Sequence, residues 1–190
     1  MSISTNSTTS TQLLESINNC SLCEGQSEAI YPFGKAIGLS YVQPVPPVSI
    51  LFLAESPPHR GFFYEDGESQ FRRRLFDLIN LSGLGTVESI SDFNQHKFYM
   101  ADAINCRWNK NIRSKRNVKK IVSNCAEHLS AQIDLLKPER ILAMGKTAQD
   151  ALELTATTHK PRLTVHAPFI LTAPVSTSAL VDKFRLLVSN

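Results

Sequence analysis

No apolar run in this 190-residue chain approaches the roughly 20 residues that a membrane-spanning helix requires, so a membrane partner is not expected. The opening stretch, Met1 to Thr11, lacks both a basic start and an apolar core. That excludes a secretory signal, points to the cytoplasm, and leaves a Ser/Thr-rich segment that reads as a disordered tail. There is no internal repeat, which excludes a solenoid. A large excess of charge is also missing: 20 Lys and Arg stand against 17 Asp and Glu, for a formal charge of +3. Net charge alone therefore does not establish a polyanionic partner. Cysteines number only four, and in a chain without a secretory signal four cysteines more often hold a metal than form disulfides.

What is present fits one globular domain over residues 12–190, since 42% hydrophobic composition at this length supports one substantial core. A monomer is expected. Four short apolar runs read as buried strands: Val48 to Ala54, Lys97 to Ala103, Arg140 to Gly145 and Arg162 to His166. Helical spacing of apolar residues marks Gln70 to Leu81, through Phe71, Leu75, Leu78 and Ile79, with Arg72, Arg73 and Arg74 mostly on other faces. The same pattern marks Asn117 to Leu136, stopped by Pro138, and two shorter helices are expected at Thr147 to Leu154 and Ser178 to Val188. Strands alternating with helices imply parallel pairing and right-handed crossovers. The expected fold is therefore α/β, a central parallel four-stranded sheet flanked by helices. Such a sheet binds ligands beyond the carboxyl ends of its strands. Those loops, Glu55 to Gly67, Ile104 to Arg116, the turn at Gly145 and Ala167 to Pro174, hold the unusual residues of the chain. A Pro-rich linker, Gly38 to Pro47, leads into the first strand.

Arg107 to Lys120 contains seven basic residues and no acidic one. Alone, such a run is more often a solvated face than a phosphate-binding one. The cysteines are more specific: Cys20-Ser-Leu-Cys23, then Cys106 just past the second strand, then Cys125 in the following helix. A CxxC pair with two distant partners makes a Cys₄ site, for zinc or for an iron–sulfur cluster, and spacing does not separate the two.

The ordered set of motifs resembles the iron–sulfur uracil-DNA glycosylases, family 4 of the uracil-DNA glycosylase superfamily, over roughly residues 13–188. It comprises the CxxC arm; Ala54-Glu55-Ser56-Pro57-Pro58, where the family has Gly-Glu-Ala-Pro-Gly; Phe71; and Phe98 through Asp102 to Cys106-Arg107. Cys125, Lys137-Pro138, Ile141 to Gly145 and His166-Ala167-Pro168, where the family has His-Pro-Ser, complete it. The resemblance implies the three-layer fold of that superfamily, DNA as partner, and a [4Fe–4S] cluster on Cys20, Cys23, Cys106 and Cys125, with zinc the alternative. It also supports Arg107, Lys110 and Arg113 as phosphate contacts.

A glycosylase must extrude its base, stack it, stabilise the departing charge and direct water at the sugar. Phe71 matches the family's stacking residue, with Phe62, Phe63 and Tyr64 nearby. His166 matches the donor to the base oxygen. Glu55 is the candidate to orient water, and Ser56 stands where some relatives carry Asp. Ile170, with Phe169 and Leu171, supplies an apolar wedge for the vacated stack.

The departure with most consequence is Asp102, where the family has the Asn that reads uracil. An ionised Asp only accepts hydrogen bonds. It opposes the carbonyl at position 4 of uracil but suits the amino group of cytosine. Excision of ordinary cytosine would destroy the host genome. The implied target is a modified cytosine, for example hydroxymethyl- or glucosyl-hydroxymethylcytosine of phage DNA, with defence against foreign DNA as the role and a roomy pocket expected around Phe62 to Gly67. Against this stands a protonated Asp102 that reads uracil in ordinary repair, or one that turns away to cap a loop. Two other classes compete. One is a Cys₄ module that binds lesions without cutting, suggested by the Ala167 and Pro168 departures. The other, a hydrolase using Ser56 and His166, lacks a nucleophile-elbow glycine pattern.

Overall fold

The computed structural model describes residues 9–23, 47–58, 62–65, 67, 69–106, 115–155, 162–163 and 177–189. Four parallel strands, β1 (Ile50–Ala54), β2 (Phe98–Asp102), β3 (Arg140–Ala143) and β4 (Arg162–Leu163), lie in the order β2-β1-β3-β4. Six helices accompany them among the described residues: α1 (Ser10–Asn18), α2 (Gln70–Ser82), α3 (Ile90–Gln95), α4 (Lys115–Leu136), α5 (Lys146–Leu154) and α6 (Thr177–Ser189). The α/β class and the parallel sheet are as expected from the sequence. The last strand is described only at Arg162–Leu163, and its expected continuation to His166 lies outside the described residues.

The strand order fixes the layers. From β1 the chain moves one way to β2, and from β2 it returns across β1 to β3, so right-handed crossovers place α2 and α3 on one face and α4 and α5 on the other. The helix contacts agree: α2 packs with α6 and α3 with β2, whereas α4 packs with both α5 and α1.

Phe52 at the middle of β1 anchors the first face. Its ring lies 5.7 Å from Phe93 of α3, 5.7 Å from Phe98 of β2 and 6.1 Å from Phe184 of α6. Burying each such ring stabilises the fold by roughly 1.5–3 kcal/mol. On the second face α4 buries Ile121, Val122, Leu129, Ile133 and Leu136, the stripe that its sequence spacing displays.

Two helices carry no strong sequence mark. The Ser/Thr-rich composition suggests a tail through Thr11, but Thr9 is already the N-cap of α1 and exchanges hydrogen bonds with Gln12 in a capping box. Ser and Thr serve there as a helix start, and Leu13 and Ile17, one turn apart, are buried in the core. The tail reading is thus corrected for residues 9–11, and residues 1–8 lie outside the described residues. The second, α3, has only six residues, with a capping box of its own between Ser89 and Asp92.

In this order β2 is an edge strand, and its outward backbone groups need cover. Tyr64 supplies some of it: its hydroxyl accepts from the Met100 N–H at 2.8 Å and donates to the Met100 carbonyl at 3.2 Å. The loop after β1 is thereby fastened to the middle of β2.

Candidate active site

The strand order reverses between β1 and β3, and sheets of this kind bind ligands in the gap beyond the carboxyl ends of such strands. Glu55, the first residue after β1, reaches across it. The Thr147 hydroxyl, in the first turn of α5 after β3, donates to the Glu55 carboxylate at 3.2 Å. The turn that delivers α5 depends on Gly145, whose φ of 129° is in the region that side chains disfavour. Glu55 is half-buried, oriented from one side, and placed where such sheets bind their ligands.

On the other side of β1 lies a cavity of about 110 Å³, lined by Ala54, Ser56, Pro58, Phe63, Ser69, Phe71, Met100 and Asp102. Parallel register sets its floor: Ala54 pairs with Asp102 and Phe52 with Met100, so these side chains share one face of the sheet. All four residues read from the sequence as base-binding, Asp102, Phe71, Ser56 and Phe63, meet here. Phe63 is locked among aromatic rings, 5.0 Å from both Tyr64 and Phe93 and 6.1 Å from Phe76. Phe71, in the first turn of α2, is only half-buried and retains surface for another ring. Neither Phe62 nor Tyr64 lines the cavity, and the Tyr64 hydroxyl is committed to Met100. They are not the stacking rings.

Asp102 is 4% exposed. Among the described residues nothing donates to its carboxyl group, and burial pushes its pKa up to about 7. Burial thus favours the protonated form, whereas the sequence reading treats the side chain as an ionised acceptor.

The cavity is smaller than the roughly 150 Å³ that holds a benzene ring in another protein. Its volume is of the order of one flat ring and leaves no room for a substituent. The roomy pocket expected around Phe62 to Gly67 is not at the aromatic end of that loop, because Phe62, Phe63 and Tyr64 are packed into the protein interior. From Gly67 onward runs a groove of about 420 Å³ that shares Ser69 with the cavity and is lined by Gln70, Arg73, Asp77, Asn80 and Glu88 among others. Arg72 braces the loop beside both. Its guanidinium donates to the Phe63 and Glu65 carbonyls, each at 2.8 Å, and to the Gly67 carbonyl. Sequence reasoning misses this role, because three consecutive arginines read as an exposed face.

The four cysteines are free thiols. They come from three separate places, the end of α1, the end of β2 and the middle of α4, and they converge. A hydrogen bond with the Cys106 side chain, together with burial, pushes the Cys125 thiol far up. Burial likewise raises Cys23, which also feels Cys106 and Cys20. The Asn124 side chain donates to the Leu22 carbonyl at 2.9 Å and to Cys23 Sγ at 3.3 Å, tying the arm to α4. Among the described residues no three His, Cys, Asp or Glu side chains are gathered at metal-ligand separations. Close to the cysteines in sequence, Asn105 is 3% exposed and among the described residues has no hydrogen-bond partner for either side-chain atom.

His166, Ile170, Arg107, Lys110 and Arg113 all lie outside the described residues. Among the described residues no helix is long and apolar enough to cross a membrane.

A family model described as the uracil DNA glycosylase superfamily matches residues 41–186 of the chain. No curated protein sequence matches it.

Proposed function

The chain belongs to the uracil DNA glycosylase superfamily, whose members are DNA glycosylases, and within that activity we propose that it excises a modified cytosine. One observation carries the reading: a buried carboxyl group, Asp102, stands at the floor of a ring-sized cavity otherwise lined by apolar and hydroxyl side chains. Acceptance from the 4-amino group of cytosine is a recognised carboxylate contact. Phe63 and Phe71 supply faces on which a flipped ring stacks. The adjoining groove past Ser69 offers polar space for a substituent, which the cavity itself does not have.

In this reading Glu55, held by Thr147, orients the water that attacks the sugar carbon and stabilises the cationic character developing there. His166 is assigned the donor to the base oxygen and Ile170 the wedge. Arg107, Lys110 and Arg113 are assigned the phosphates. Because loss of ordinary cytosine would destroy the host genome, the substituent is one that host DNA lacks, and the role is defence against foreign DNA.

The test is an excision assay. Oligonucleotides carrying uracil, cytosine, hydroxymethylcytosine or glucosylated hydroxymethylcytosine are incubated with the protein and treated with alkali, which breaks the strand at abasic sites. Breaks at a modified cytosine are expected. Breaks at uracil alone would establish the second reading, ordinary repair, in which a neutral Asp102 donates to a carbonyl as an Asn amide does.

We propose further that Cys20, Cys23, Cys106 and Cys125 hold a [4Fe–4S] cluster, as in family 4. Two features suit such a group: four thiols converge from three elements, and the orphaned Asn105 amide has an N–H to offer a sulfur. When bound, the cluster fastens the N-terminal arm to the sheet and α4, and hydrolysis needs no electron from it. Protein purified anaerobically is expected to contain about four iron and four sulfide per chain. Cys125→Ser is expected to lose most of both and to melt several degrees lower. Stoichiometric zinc without sulfide would assign the site to the other metal.

A further inference from the structure

We propose that Asp102 is a catalytic acid: it enters the reaction protonated, gives its proton to the ring nitrogen at position 3 of the cytosine-type base, and makes that base leave uncharged. This rests on the cytosine reading above and deepens it.

Hydrogen-bond pairing at the cavity floor supplies the first argument. The edge of a neutral cytosine presents an acceptor at position 3 beside a donor, the 4-amino group. An ionised carboxylate satisfies the donor but sets its other oxygen against the ring nitrogen, two acceptors facing each other in a buried site, at a cost of one unmade hydrogen bond. A neutral carboxyl group has one donor and one acceptor side by side in a plane, and matches both positions at once. A proton between Asp102 and the ring nitrogen is thus what cytosine recognition demands.

The surroundings of Asp102 supply the second. Ionisable groups on the elements around it are turned to other partners or other spaces. Glu55 after β1 accepts from Thr147, and Glu65 accepts from the Phe62 N–H. Tyr64 is bonded to the Met100 backbone, and Arg72 of α2 to three backbone carbonyls. Arg73 and Asp77 of the same helix line the neighbouring groove, not the cavity. On α3, packed against β2, Asp92 is held by Ser89 and the Glu88 N–H, and His96 at its end contacts the Thr86 carbonyl. Among the described residues no cation draws the proton off, and burial raises the Asp102 pKa to about 7.

The step conserves atoms and charge. The bond between the sugar C1′ and the base N1 breaks with its electron pair on the base. The O–H bond of Asp102 breaks, and its proton forms a bond to N3. Water adds its oxygen to C1′ and passes a proton to Glu55. The base leaves neutral, with hydrogen at N3, and Asp102 is left as a carboxylate that regains a proton from solvent after release.

The test is a single-turnover excision rate at saturating protein, from pH 5.5 to 9, on the modified-cytosine oligonucleotide that the excision assay identifies. Wild type and Asp102→Asn are compared, with DNA binding followed by fluorescence anisotropy. Wild type is expected to lose about tenfold in rate per pH unit above an inflection at or above neutrality. Asp102→Asn is expected to be flat over the same range and about 10²- to 10⁴-fold slower at pH 6, the usual contribution of a general acid. A flat wild-type profile from pH 6 to 9 would overturn the proposal. So would an Asn variant that keeps the same descending limb, or one that binds less tightly but reacts at the wild-type rate once saturated. Failure of the cytosine reading is seen separately, in the excision assay, as cleavage at uracil and at no cytosine-type base.

Discussion

Asp102→Asn is expected to reverse the base preference of the enzyme, lowering excision of the modified cytosine by at least about 10²-fold and raising excision of uracil. Both changes have a cause at the cavity floor. Above pH 7, where Asp102 ionises, the Asn amide donates toward a carbonyl at position 4 that the carboxylate only opposes, a difference of about 1–3 kcal/mol. It also has no proton to surrender, which removes the general-acid contribution of about 10²–10⁴ from cytosine departure. Uracil leaves more readily as an anion, because two carbonyls share its charge, and so it does not suffer the second loss. Competition between the two bases in one reaction mixture reads the ratio. An unchanged ratio would exclude Asp102 from base recognition.

The fold is expected to survive the substitution. In the wild type, burial holds the Asp102 pKa at about 7 against an ordinary value of 3.8. The folded protein therefore keeps a proton that the unfolded chain releases, and this group's contribution to stability falls as pH rises from about 4 to about 7. Asn carries no such penalty, so the variant is expected to melt no lower than wild type at pH 6 and above it at pH 8.

Glu55→Gln is expected to act in the opposite way, slowing excision of every base by about 10²–10⁴ while leaving the ratio between bases untouched. Gln keeps the size of Glu and accepts from the Thr147 hydroxyl as the carboxylate does, so that contact is preserved. What it lacks is a basic oxygen to take the proton of water and a negative charge beside the cationic sugar. DNA binding is expected to persist, which separates this role from a structural one. A single-turnover rate within tenfold of wild type would move the catalytic base elsewhere.

Helices cover both faces of this parallel sheet, so β1, β2 and β3, the edge strand included, stand out in the sequence as largely apolar runs. Once they are located, Glu55 and Asp102 are identified as strand-end residues, and the long stripe of α4 is plain. The partners of those residues are not. Thr147 is 92 positions from Glu55, and Tyr64 is 36 from Met100. Such hydrogen bonds follow from the topology and leave no periodic trace in the chain. α1 and α3 escape notice for a local reason: each starts on a Ser or Thr cap in a polar stretch, and α3 is too short for its single buried ring, Phe93, to show a period. The size of the base cavity is likewise a matter of packing. Three adjacent aromatics, Phe62 to Tyr64, suggest open space lined with rings, yet the rings fill it.

The docking of α1 on α4 sets an order of events during synthesis. Leu13 and Ile17 are buried, and the bonds that hold the following turn come from Asn124, 101 and 102 residues further along. At about 5–20 residues per second, the ribosome delivers that partner roughly 5–20 s after the arm has been made. The first of the described helices therefore waits for α4 before it can dock, and a nascent chain stalled before Asn124 would present its apolar stripe to whatever waits at the tunnel exit.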